Sequence, residues 1–359
     1  MTDTLKQLRA SVLTLDEEIV RLLNERAGLS IQIGAFKKDS GHAIYDPCRE
    51  HELCSHLEEI SNGPMSDAAL RRIYREILSV SRSLQKSVTV VYLGPEASFT
   101  HLAARSHFGG AHDLSAQPTV FDVFEEVEKG RADFGVVPVE NSLEGSVKQT
   151  LDKLISTSFN IVGDIYLPIS HCLLSVNGKM DLLKRVYSHP QALAQCQRWL
   201  RNNLPHCALC EEESTAKAAR RVLNDPEAAA VGSKAAALTY GLDIITEGIE
   251  DYPLNVTRFL VIGRGINCTT GRDKTSILFG VRHEPGALLH ALAPFSDRAI
   301  NLTKIISHPI RERIWEYLFF VDFMGHADDE KVAACLEQLI EACTFVKLLG
   351  SYPMGEPES

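Results

Sequence analysis

The sequence predicts a multidomain chain: an all-α module, then an α/β domain, then a ferredoxin-like α+β domain. Three successive patterns along its 359 residues predict this order. Residues 1–86 carry helical spacing, residues 88–265 alternate short β-type runs with helical patterns, and residues 274–352 follow the order βαββαβ. The length fits two or three domains of about 100–200 residues each.

The all-α module begins with a heptad seam. From Leu5 to Phe36, apolar residues recur at alternating spacings of three and four, which predicts one helix with a stripe about 48 Å long. We expect this helix to pack against a partner helix from a second copy of the chain and to end near Gly41. Arg26 occupies a seam position, where a buried cation would need an anionic partner; it would otherwise snorkel or form a salt bridge between subunits. Two further helices are predicted over 47–61 and 66–86.

Polar motifs follow the β-type runs of the α/β domain. The run 88–93 precedes Gly94-Pro95, the run 134–139 precedes Glu140-Asn141-Ser142, and a further strand is predicted over 169–176. Strands that alternate with helices indicate a sheet with crossover connections, and such sheets bind ligands at the carboxyl ends of their strands. These motifs therefore mark a candidate ligand site.

The C-terminal pattern matches the split βαβ plan. Its order of elements therefore predicts a ferredoxin-like domain. The predicted elements are a strand over 275–281, a helix over 286–297, strands over 301–307 and 314–323, a helix over 328–342 and a strand over 345–349.

The composition argues against several classes of protein. Lysine and arginine total 37 and aspartate and glutamate total 47, so the net charge is −10 and there is no broad basic field for nucleic acid. The longest apolar runs fall far short of the ~20 residues that a membrane helix needs. The N-terminal residues lack the apolar stretch of a secretory signal, so we expect a cytoplasmic protein without a nucleic-acid or membrane partner.

The cysteines predict reduced thiols. There are nine of them, an odd number in a chain without an export signal. Cys207 and Cys210 have CxxC spacing, but no second CxxC completes a zinc site. We therefore expect no metal, and any role of this pair stays open.

The segment from Leu8 to Lys37, LRASVLTLDEEIVRLLNERAGLSIQIGAFK, and the following Asp46-x-x-Arg49-Glu50 element resemble the all-helical chorismate mutase family. The resemblance covers residues 5–86 and is specific because dispersed polar positions coincide. It implies that chorismate is rearranged to prephenate in a helical pocket. The residues assigned to that pocket are Arg9, Arg26, Lys37, Asp46, Arg49, Glu50, Ser81 and Gln85.

By this resemblance, Arg9 and Arg26 bind the two carboxylates of chorismate. They lie 17 residues apart, which is about 25 Å along one helix. One straight helix cannot bring both arginines to the same small ligand. We therefore expect Arg9 to reach the site of a partner subunit, as the interlocked dimer of the family would allow.

The same resemblance assigns Lys37 and Gln85 to the ether oxygen of chorismate, where negative charge builds up during the rearrangement. Glu50 would accept a hydrogen bond from the ring hydroxyl, and Arg49 would orient Glu50. No proton transfer or covalent intermediate is required, so the pocket has to hold a compact conformer. Without the resemblance, Gln85 would count as a solvated helix residue and Asp46 as a helix cap.

Five elements of the α/β domain together resemble prephenate dehydratase over residues 88–265. The resemblance implies two α/β lobes, similar to periplasmic binding proteins, with the site in the cleft between them. It also implies loss of CO2 and water from prephenate to give phenylpyruvate, without a cofactor. The five elements are Gly94-Pro95-Glu96-Ala97-Ser98-Phe99-Thr100, Glu140-Asn141-Ser142, Ser188-His189-Pro190-Gln191 with Gln195, Glu213-Ser214-Thr215-Ala216, and Thr257-Arg258-Phe259.

Hydroxide is a poor leaving group, so a dehydratase site must donate a proton or a strong hydrogen bond to it. The resemblance gives this role to Thr257 as a hydrogen-bond donor, with Glu140 and His189 as candidates for the ultimate acid. Ser98 and Ser142 would otherwise be helix N-caps. The residues assigned to substrate binding are Ser98, Asn141, Ser188, Gln195, Ser214, Thr215, Thr257, Arg258 and Phe259.

The C-terminal domain resembles an ACT domain, an amino-acid-binding module, through Gly286-Ala287-Leu288-Leu289 at a helix start. The resemblance implies phenylalanine as an effector, bound by Gly286, Ala287, Leu288, Leu289 and Ser307. The second motif of the family is usually Glu-Ser-Arg-Pro, and here it is Ile306-Ser307-His308-Pro309. Ile306 and His308 cannot replace the two charged residues, so we expect weakened or altered inhibition, tightened again by Ile306→Glu with His308→Arg. Regulation would be unchanged if those charges only brace the loop.

The order of the three modules resembles that of the bifunctional chorismate mutase/prephenate dehydratases over nearly the whole chain. It implies a cytosolic, cofactor-free homodimer in phenylalanine biosynthesis. Two alternatives stay open: a non-catalytic amino-acid sensor on the same scaffold, and a dehydratase whose helical module is only a dimerisation arm. Intact Thr257 and Lys37 argue against the first, and the complete set of pocket residues argues against the second.

Overall fold

The computed structural model describes residues 2–40, 46–86, 88–309 and 317–355. The predicted helix end at Gly41 and the first residues of the predicted strand 314–323 lie outside the described residues. None of the helices described is both long and apolar enough to cross a membrane.

The chain groups into two compact units. The helical unit is Met1–Val88 with Phe108–Asp113, and the α/β unit is Thr89–His107 with Leu114–Ser359. The α/β unit contains both the α/β domain and the C-terminal domain that the sequence predicts.

Three helices make up the described part of the helical unit, and all three were predicted. They are α1 (Thr2–Ser40), α2 (Pro47–Ile60) and α3 (Asp67–Gln85). Asp46 and Ser66 cap α2 and α3, because each side chain accepts a backbone N–H group of the first turn. Capping side chains thus fix where these two helices begin.

Gly34 lets α1 approach α3 closely. A Cβ atom at this position would lie 2.8 Å from both Cβ and Cγ of Gln85. Contacts that short do not occur between packed side chains, so a larger residue would push the two helices apart. The glycine therefore sets the distance between α1 and α3 at this point.

The predicted seam of α1 remains exposed within the helical unit. Leu8 is 61%, Leu15 63% and Phe36 74% exposed. An apolar stripe of this length on a water-facing helix normally packs against another surface. That a second copy of the chain covers this stripe stays a prediction.

The α/β unit is built from fifteen strands and nine α-helices within the described residues, together with a 3-10 turn at Met180–Leu182. In chain order they are β1 (Thr89–Leu93), α4 (Phe99–Phe108), β2 (Asp113–Gln117), α5 (Val120–Glu128), β3 (Phe134–Asn141), β4 (Gly145–Ser146), α6 (Lys148–Ser156), β5 (Asn160–Pro168), β6 (Cys172–Ser175), β7 (Arg185–Ser188), α7 (Pro190–Gln195), α8 (Gln197–Asn203), β8 (Ala208–Glu211), α9 (Thr215–Val222), β9 (Ala228–Gly232), α10 (Lys234–Tyr240), β10 (Asp243–Glu247), β11 (Val256–Gly263), β12 (Asp273–Gly280), α11 (Ala287–Asp297), β13 (Leu302–Pro309), β14 (Tyr317–Met324), α12 (Glu330–Ala342) and β15 (Phe345–Pro353).

Two sheets form the two lobes of the α/β domain, as predicted. The first has the order β2-β1-β3-β11-β5 with β4 added to β3, and the second has the order β10-β6-β9-β7-β8. The chain passes to the second lobe between β5 and β6 and returns between β10 and β11. The strand predicted over 169–176 is therefore wrong at its start, because β5 ends at Pro168 and the next residues form the crossing between lobes.

The third sheet has the order β13-β14-β12-β15, with every pair antiparallel, which confirms the ferredoxin-like plan. Side chains alternate between the two faces of a strand. On β12, Ile277 and Phe279 belong to the core of the C-terminal domain. Leu278, together with Phe320, belongs instead to the core around Val139 of the first sheet. One face of the third sheet thus packs onto the α/β domain.

Candidate active sites

A polar stripe on α1 faces α3 in the helical unit. Its members recur every three or four residues and are buried or half-buried where most of the helix is exposed: Arg26, Ser30, Gly34 and Lys37. Arg26 donates a hydrogen bond to the hydroxyl of Ser81 on α3. Gly34 contacts Gln85, one turn further along α3. The structure therefore groups Arg26, Ser81 and Gln85, with Lys37 one turn beyond Gly34.

The side-chain oxygen of Gln85 is buried without a hydrogen-bond partner among the described residues. Leaving a buried polar atom unpaired costs roughly 1–3 kcal/mol. The unpaired amide therefore favours a bound ligand at this position. A half-turn about its last side-chain bond presents the amide nitrogen there, as a donor to an ether oxygen requires.

Glu50 is held by a residue that the sequence did not single out. Arg82 of α3 is 4% exposed and donates to both carboxylate oxygens of Glu50. Arg49, which was predicted to orient Glu50, pairs instead with Glu52 at 3.0 Å on the exposed surface. That prediction is wrong because adjacent helix residues point about 100° apart. A cation directly after Ser81 was the only sequence signal for Arg82.

Asp46 and Arg9 are the remaining predicted residues of this pocket. Asp46 accepts the backbone N–H of Arg49 at 3.0 Å, which confirms the capping alternative. Arg9 is exposed on α1, about 25 Å before Arg26. A single copy of the helical unit does not bring Arg9 to the other pocket residues, so its predicted role depends on a second copy.

A cavity of about 690 Å³ lies in the cleft between the two lobes of the α/β domain. Its size suits a small-molecule ligand. Both lobes contribute to its walls, mainly through strand ends and the loops that follow them. The predicted residues that line it are Ser98, Asn141, His189, Gln195, Ser214, Thr215, Thr257 and Phe259.

Thr257 and Asn141 lie opposite each other on β11 and β3. The Asn141 side-chain nitrogen donates to Thr257 Oγ1 at 2.8 Å. The Asn141 oxygen accepts the backbone N–H groups of Leu143 at 3.0 Å and Glu144 at 3.2 Å, which fixes the orientation of the amide. Because Thr257 is an acceptor in this contact, its own O–H remains for a group in the cavity.

The polar chain continues from Asn141 into the second lobe. Asn141 also donates to Asn255 Oδ1 at 2.7 Å, and Asn255 donates to Gln195 Oε1 at 3.0 Å. His171 Nε2 lies 3.1 Å from the same Gln195 oxygen. Burial lowers the pKa of His171, so its ring is neutral near pH 7. The sequence predicted Gln195 but missed Asn255 and His171, because no local motif marks them.

Ser98 and Ser214 cap helices at the edge of the cavity. Each hydroxyl accepts the backbone N–H three residues later, at 3.3 Å and 3.0 Å respectively. The capping alternative is thus confirmed for Ser98. Ser142 does not cap a helix; its hydroxyl accepts the N–H of Val256 at 3.0 Å and joins the end of β3 to the start of β11.

Glu140 and Arg258 face away from the cavity. Alternate side chains of a strand point to opposite faces, so the neighbours of Asn141 and Thr257 lie on the far side of the sheet. There Lys304 of β13 pairs with Glu140 at 2.7 Å. The predictions of Glu140 as the acid and of Arg258 as a substrate ligand are therefore wrong.

Arg258 instead joins β11 to the C-terminal domain. Its buried guanidinium donates to Asp164 at 3.0 Å, to Tyr352 at 2.9 Å and to Asp322. Burial alone would lower the pKa of Arg258, but Tyr352 and the two carboxylates raise it well above its ordinary value. The arginine therefore stays charged, and it anchors β11, the strand of Thr257, on the face opposite to the cavity.

The predictions for Ser188 and His189, at the end of β7, have different outcomes. Ser188 is fully buried and donates to the carbonyl of Val231 on β9 at 2.7 Å, so its predicted substrate contact is wrong. His189 lines the cavity, and its Nδ1 accepts the N–H of Gln191 at 3.3 Å. Burial lowers the pKa of His189, so the neutral ring carries its hydrogen on Nε2. It is a hydrogen-bond donor rather than a strong acid.

Glu213 and Lys217 line the cavity and were missed as site residues. They form a salt bridge one helical turn apart at the start of α9. The hydrogen bond from Lys217 lowers the pKa of Glu213. Among the described lining residues, Lys217 is the only lysine or arginine, so it is the natural partner for a carboxylate of the ligand. Glu213 belongs to a quoted motif, and the i, i+4 spacing was the available signal for Lys217.

The C-terminal motifs lie on two elements. Gly286 precedes α11 with φ +83°, a conformation that favours glycine, and Leu289 is 70% exposed. On β13 the side chains alternate: Ile305 and Ser307 are exposed, whereas Ile306 packs against the core of the first sheet. His308 Nε2, on the same face as Ile306, lies 2.7 Å from Asp152 Oδ1.

The two departures from the second motif lie at the contact with the α/β domain. Ile306 and His308 both contact the α/β domain. Ile306 packs against the apolar core of the first sheet, and His308 pairs with Asp152. The expected gain from Ile306→Glu with His308→Arg is therefore not supported, because the new carboxylate would lie against an apolar core. Whether inhibition is weakened stays a prediction.

Among the residues that the structure describes, seven cysteines, including Cys207 and Cys210, are free. Cys268 is disulfide-bonded, so the expectation of reduced thiols is wrong for this residue. No cluster of three or more metal-binding side chains occurs among the described residues.

Family models match the chain in three consecutive stretches. The model for chorismate mutase type II matches residues 8–86, that for prephenate dehydratase matches residues 90–267, and that for the ACT domain matches residues 275–341. They follow the order of the three modules predicted from the sequence.

Curated relatives match over almost their full length. The bifunctional chorismate mutase/prephenate dehydratase of Aquifex aeolicus is 48% identical over 355 residues, which is 98% of each chain. The protein of the same name from Neisseria gonorrhoeae is 42% identical over 98% of this chain and 99% of the relative. Among solved structures, prephenate dehydratase from Arthrobacter aurescens in complex with L-Phe has a TM-score of 0.69 at 34% identity, covering 74% of this chain and 90% of that chain.

Proposed function

This chain belongs to the bifunctional chorismate mutase/prephenate dehydratases, and we propose how its residues perform the two reactions. The first rearranges chorismate to prephenate, and the second converts prephenate to phenylpyruvate with loss of CO2 and water, both in phenylalanine biosynthesis. The observation that carries the proposal is the hydrogen bond from Asn141 to Thr257, which leaves the threonine O–H as a donor in the cavity. The cytoplasmic location stays a prediction.

In the helical unit, the polar stripe of α1 holds chorismate against α3. Arg26 binds a carboxylate of the substrate while Ser81 supports its guanidinium. Lys37 and Gln85 donate to the ether oxygen, on which negative charge develops as the C–O bond breaks. No atom of the enzyme exchanges a proton or forms a bond with the substrate, so rate enhancement comes from conformer selection and charge stabilisation.

Glu50 accepts a hydrogen bond from the ring hydroxyl of chorismate. Two contacts from buried Arg82 to the carboxylate oxygens fix the direction of Glu50. Arg82 thus takes the orienting role that the sequence had assigned to Arg49.

In the α/β domain, Thr257 donates a hydrogen bond to the departing hydroxyl of prephenate. As the bond to CO2 breaks, its electron pair moves into the ring, and the hydroxyl leaves from the opposite ring carbon as aromaticity is gained. The hydroxyl becomes more basic while it leaves, so the contact with Thr257 strengthens in the transition state. Lys217 binds a carboxylate at the mouth of the cavity, and the neutral His189 adds a second N–H donor.

The two activities are tested with one preparation of the full chain. Chorismate is added, and prephenate and phenylpyruvate are measured over time. We expect prephenate to appear first and phenylpyruvate to follow. Conversion of added prephenate but not of chorismate would favour the alternative in which the helical unit is only a dimerisation arm.

We infer a homodimer in which each subunit contributes to the partner's mutase pocket. The exposed seam of α1 supports this, since Leu8, Leu15 and Phe36 are each more than half exposed in one chain. The distance of about 25 Å between Arg9 and Arg26 along α1 supports it as well. A second copy of α1 would cover the seam and bring its own Arg9 to the site that contains Arg26.

Arg9→Ala and Arg26→Ala should each abolish mutase activity, whereas a mixture of the two variants should regain part of it. One of the two sites in a mixed dimer then draws both arginines from intact positions. The variants are unfolded together, refolded and assayed with chorismate, with each variant refolded alone as the control. A mixture that forms heterodimers yet stays inactive would contradict the shared pocket.

Phenylalanine is the proposed effector, and its binding region includes the Gly286 to Leu289 motif and Ser307. Support comes from the exposed start of α11 and from the relative solved in complex with L-Phe. Contacts from β13 to the α/β domain through Lys304 and His308 connect this region to the dehydratase lobes. A ligand that prefers one arrangement of these contacts shifts the dehydratase by that difference in affinity.

Ile306→Glu should lower the melting temperature by about 4 °C or more and should not tighten inhibition by phenylalanine. The carboxylate would be placed against the apolar core of the first sheet, and each kcal/mol lost corresponds to about 2–4 °C. Ile305→Glu, on the exposed face of the same strand, is the matched control and should leave the melting temperature nearly unchanged. Tighter inhibition by Ile306→Glu with His308→Arg, without a loss of stability, would show that this face contacts the effector.

A further inference from the structure

A chain of hydrogen bonds with one fixed direction runs behind the dehydratase cavity. It begins at two backbone N–H groups, those of Leu143 and Glu144, which both donate to the Asn141 oxygen. Backbone N–H groups can only donate, so the Asn141 amide cannot be turned round without leaving them unpaired. Its nitrogen must therefore point the other way, to Thr257 Oγ1 and to Asn255 Oδ1.

Asn255 in turn fixes the orientation of the Gln195 amide. Asn255 is 2% exposed, and because its oxygen accepts from Asn141, its nitrogen is the atom that donates to Gln195 Oε1. Gln195 is 8% exposed and lines the cavity. With its oxygen held by a buried donor, Gln195 has only its amide N–H groups left for the cavity.

His171 supplies a second donor to the same Gln195 oxygen. The ring is 2% exposed, and Nε2 lies 3.1 Å from Oε1, an atom that can only accept. Nε2 therefore carries the hydrogen, and Nδ1 is the bare nitrogen, which has no partner among the described residues. Phe99, which also lines the cavity, packs edge-on against the ring at 5.6 Å between centroids.

Asn255 and His171 lie where the chain crosses between the lobes. Ile169 N–H donates to the carbonyl of Asn255 at 2.8 Å, and Ile249 N–H donates to the carbonyl of His171 at 3.0 Å. The His171 N–H in turn donates to Glu250 at 2.8 Å. Both crossing segments are thus tied together by backbone contacts that fix the two side chains.

We propose that Asn255 and His171 are positioning residues of the dehydratase, which hold Asn141 and Gln195 so that the cavity presents two donors, the Thr257 O–H and the Gln195 amide. This inference rests on the proposed dehydratase function. Prephenate offers oxygen acceptors at its carboxylates and at its leaving hydroxyl, which match such donors. If the amides of this hydrogen-bond chain were turned round, the cavity would present acceptor oxygens, which repel the oxygens of prephenate.

Asn255→Asp tests the direction of this chain of hydrogen bonds, because aspartate and asparagine have almost the same shape. An aspartate still accepts from Asn141, but it has no N–H for Gln195 and places one oxygen against another. Gln195 then turns its oxygen toward the cavity. We expect kcat/KM for prephenate to fall about 10²-fold, as misplacement of site groups typically causes. Mutase activity of the same preparation should stay at the wild-type level and serves as the internal check of folding and concentration.

Asn267→Asp is the matched control. Asn267 is also buried, at 5% exposed, and its nitrogen donates to the carbonyls of Val162 and Ser351, away from Thr257. We expect its melting temperature to fall as in Asn255→Asp, with dehydratase kcat and KM retained. Equal losses of dehydratase activity in the two variants would overturn the proposal, because the effect would then be general destabilisation.

Variants of His171 provide a second test of the proposal. His171→Phe keeps an aromatic ring beside Phe99 but has no donor, whereas His171→Gln can supply an N–H to the Gln195 oxygen. We expect the phenylalanine variant to raise KM for prephenate about tenfold or more and the glutamine variant to recover most of that loss. Wild-type kcat and KM in both Asn255→Asp and His171→Phe would overturn the proposal. A wild-type protein without dehydratase activity would instead overturn the proposed function itself.

Discussion

Thr257→Ala should lower dehydratase kcat by about 10²–10³-fold while KM for prephenate changes little. The threonine O–H is left for a group in the cavity, because its oxygen accepts from Asn141 and the side chain lines the cavity. A donor to a leaving group that gains charge contributes mainly in the transition state, so its loss appears in kcat. Steady-state kinetics with prephenate, at concentrations above and below KM, separate the two parameters.

Two variants control for this result. Thr257→Ser keeps the hydroxyl and should retain most of the activity. Thr150→Ala removes another buried hydroxyl of the same domain, one that donates to the carbonyl of Pro138 at 2.6 Å, and should leave kcat unchanged when the protein is folded. A large rise in KM with kcat intact would instead assign Thr257 to substrate binding.

The sequence located Thr257 and Asn141 because both belong to motifs that resemble prephenate dehydratase, and Asn141 also follows a predicted strand, where α/β sheets bind ligands. It could not separate them from Arg258 and Glu140, their neighbours in the same motifs. That distinction depends on the phase of each strand and on which face another domain covers. Here the C-terminal domain covers the far face, and Lys304 pairs with Glu140 there.

Asn255 and His171 could not be predicted for a different reason. Their hydrogen bonds reach residues 24 to 114 positions away in the chain, and the residue types are common in loops. A buried polar side chain has to be paired, but the sequence does not tell which buried group is its partner. Only the crossing of the two lobes brings these residues together.

In the helical unit, periodicity predicted the long helix and its exposed seam correctly, since heptad spacing is a local property. It also indicated that Arg26 needs an anionic partner, whereas the partner within the chain is the neutral hydroxyl of Ser81. The partner of Glu50 was assigned wrongly, because the adjacent Arg49 was closer in sequence than Arg82. Direction around a helix, rather than nearness along the chain, decides such pairs.

Ile306 and His308 depart from the family motif at positions whose surroundings the sequence did not show. From the sequence, both looked like losses at an effector site. In the structure they occupy the face of β13 that packs on the α/β domain, where Ile306 meets an apolar core and His308 meets Asp152. The alternation along an edge strand therefore separates residues that contact the neighbouring domain from those left exposed.

Lys37→Ala should reduce mutase turnover by about 10²–10³-fold and leave dehydratase kinetics unchanged. Lys37 ends the polar stripe of α1, one turn beyond the glycine that contacts Gln85. In the proposed mechanism it stabilises the charge that develops on the ether oxygen, and removing one such donor typically costs a factor of this size. The dehydratase residues belong to the other unit, so added prephenate should be converted at the wild-type rate.

Lys38→Ala is the matched control, since this neighbouring lysine is exposed on the same helix turn. It removes the same charge from the same end of α1, and any general effect of net charge or helix stability should be equal in the two variants. We therefore expect wild-type mutase activity from Lys38→Ala and a loss from Lys37→Ala, both measured as disappearance of chorismate. Wild-type activity in both variants would contradict the role of Lys37 at the ether oxygen. A comparable loss in both would instead mean that the end of α1 acts through its stability, and the melting temperatures of the two variants would then fall together.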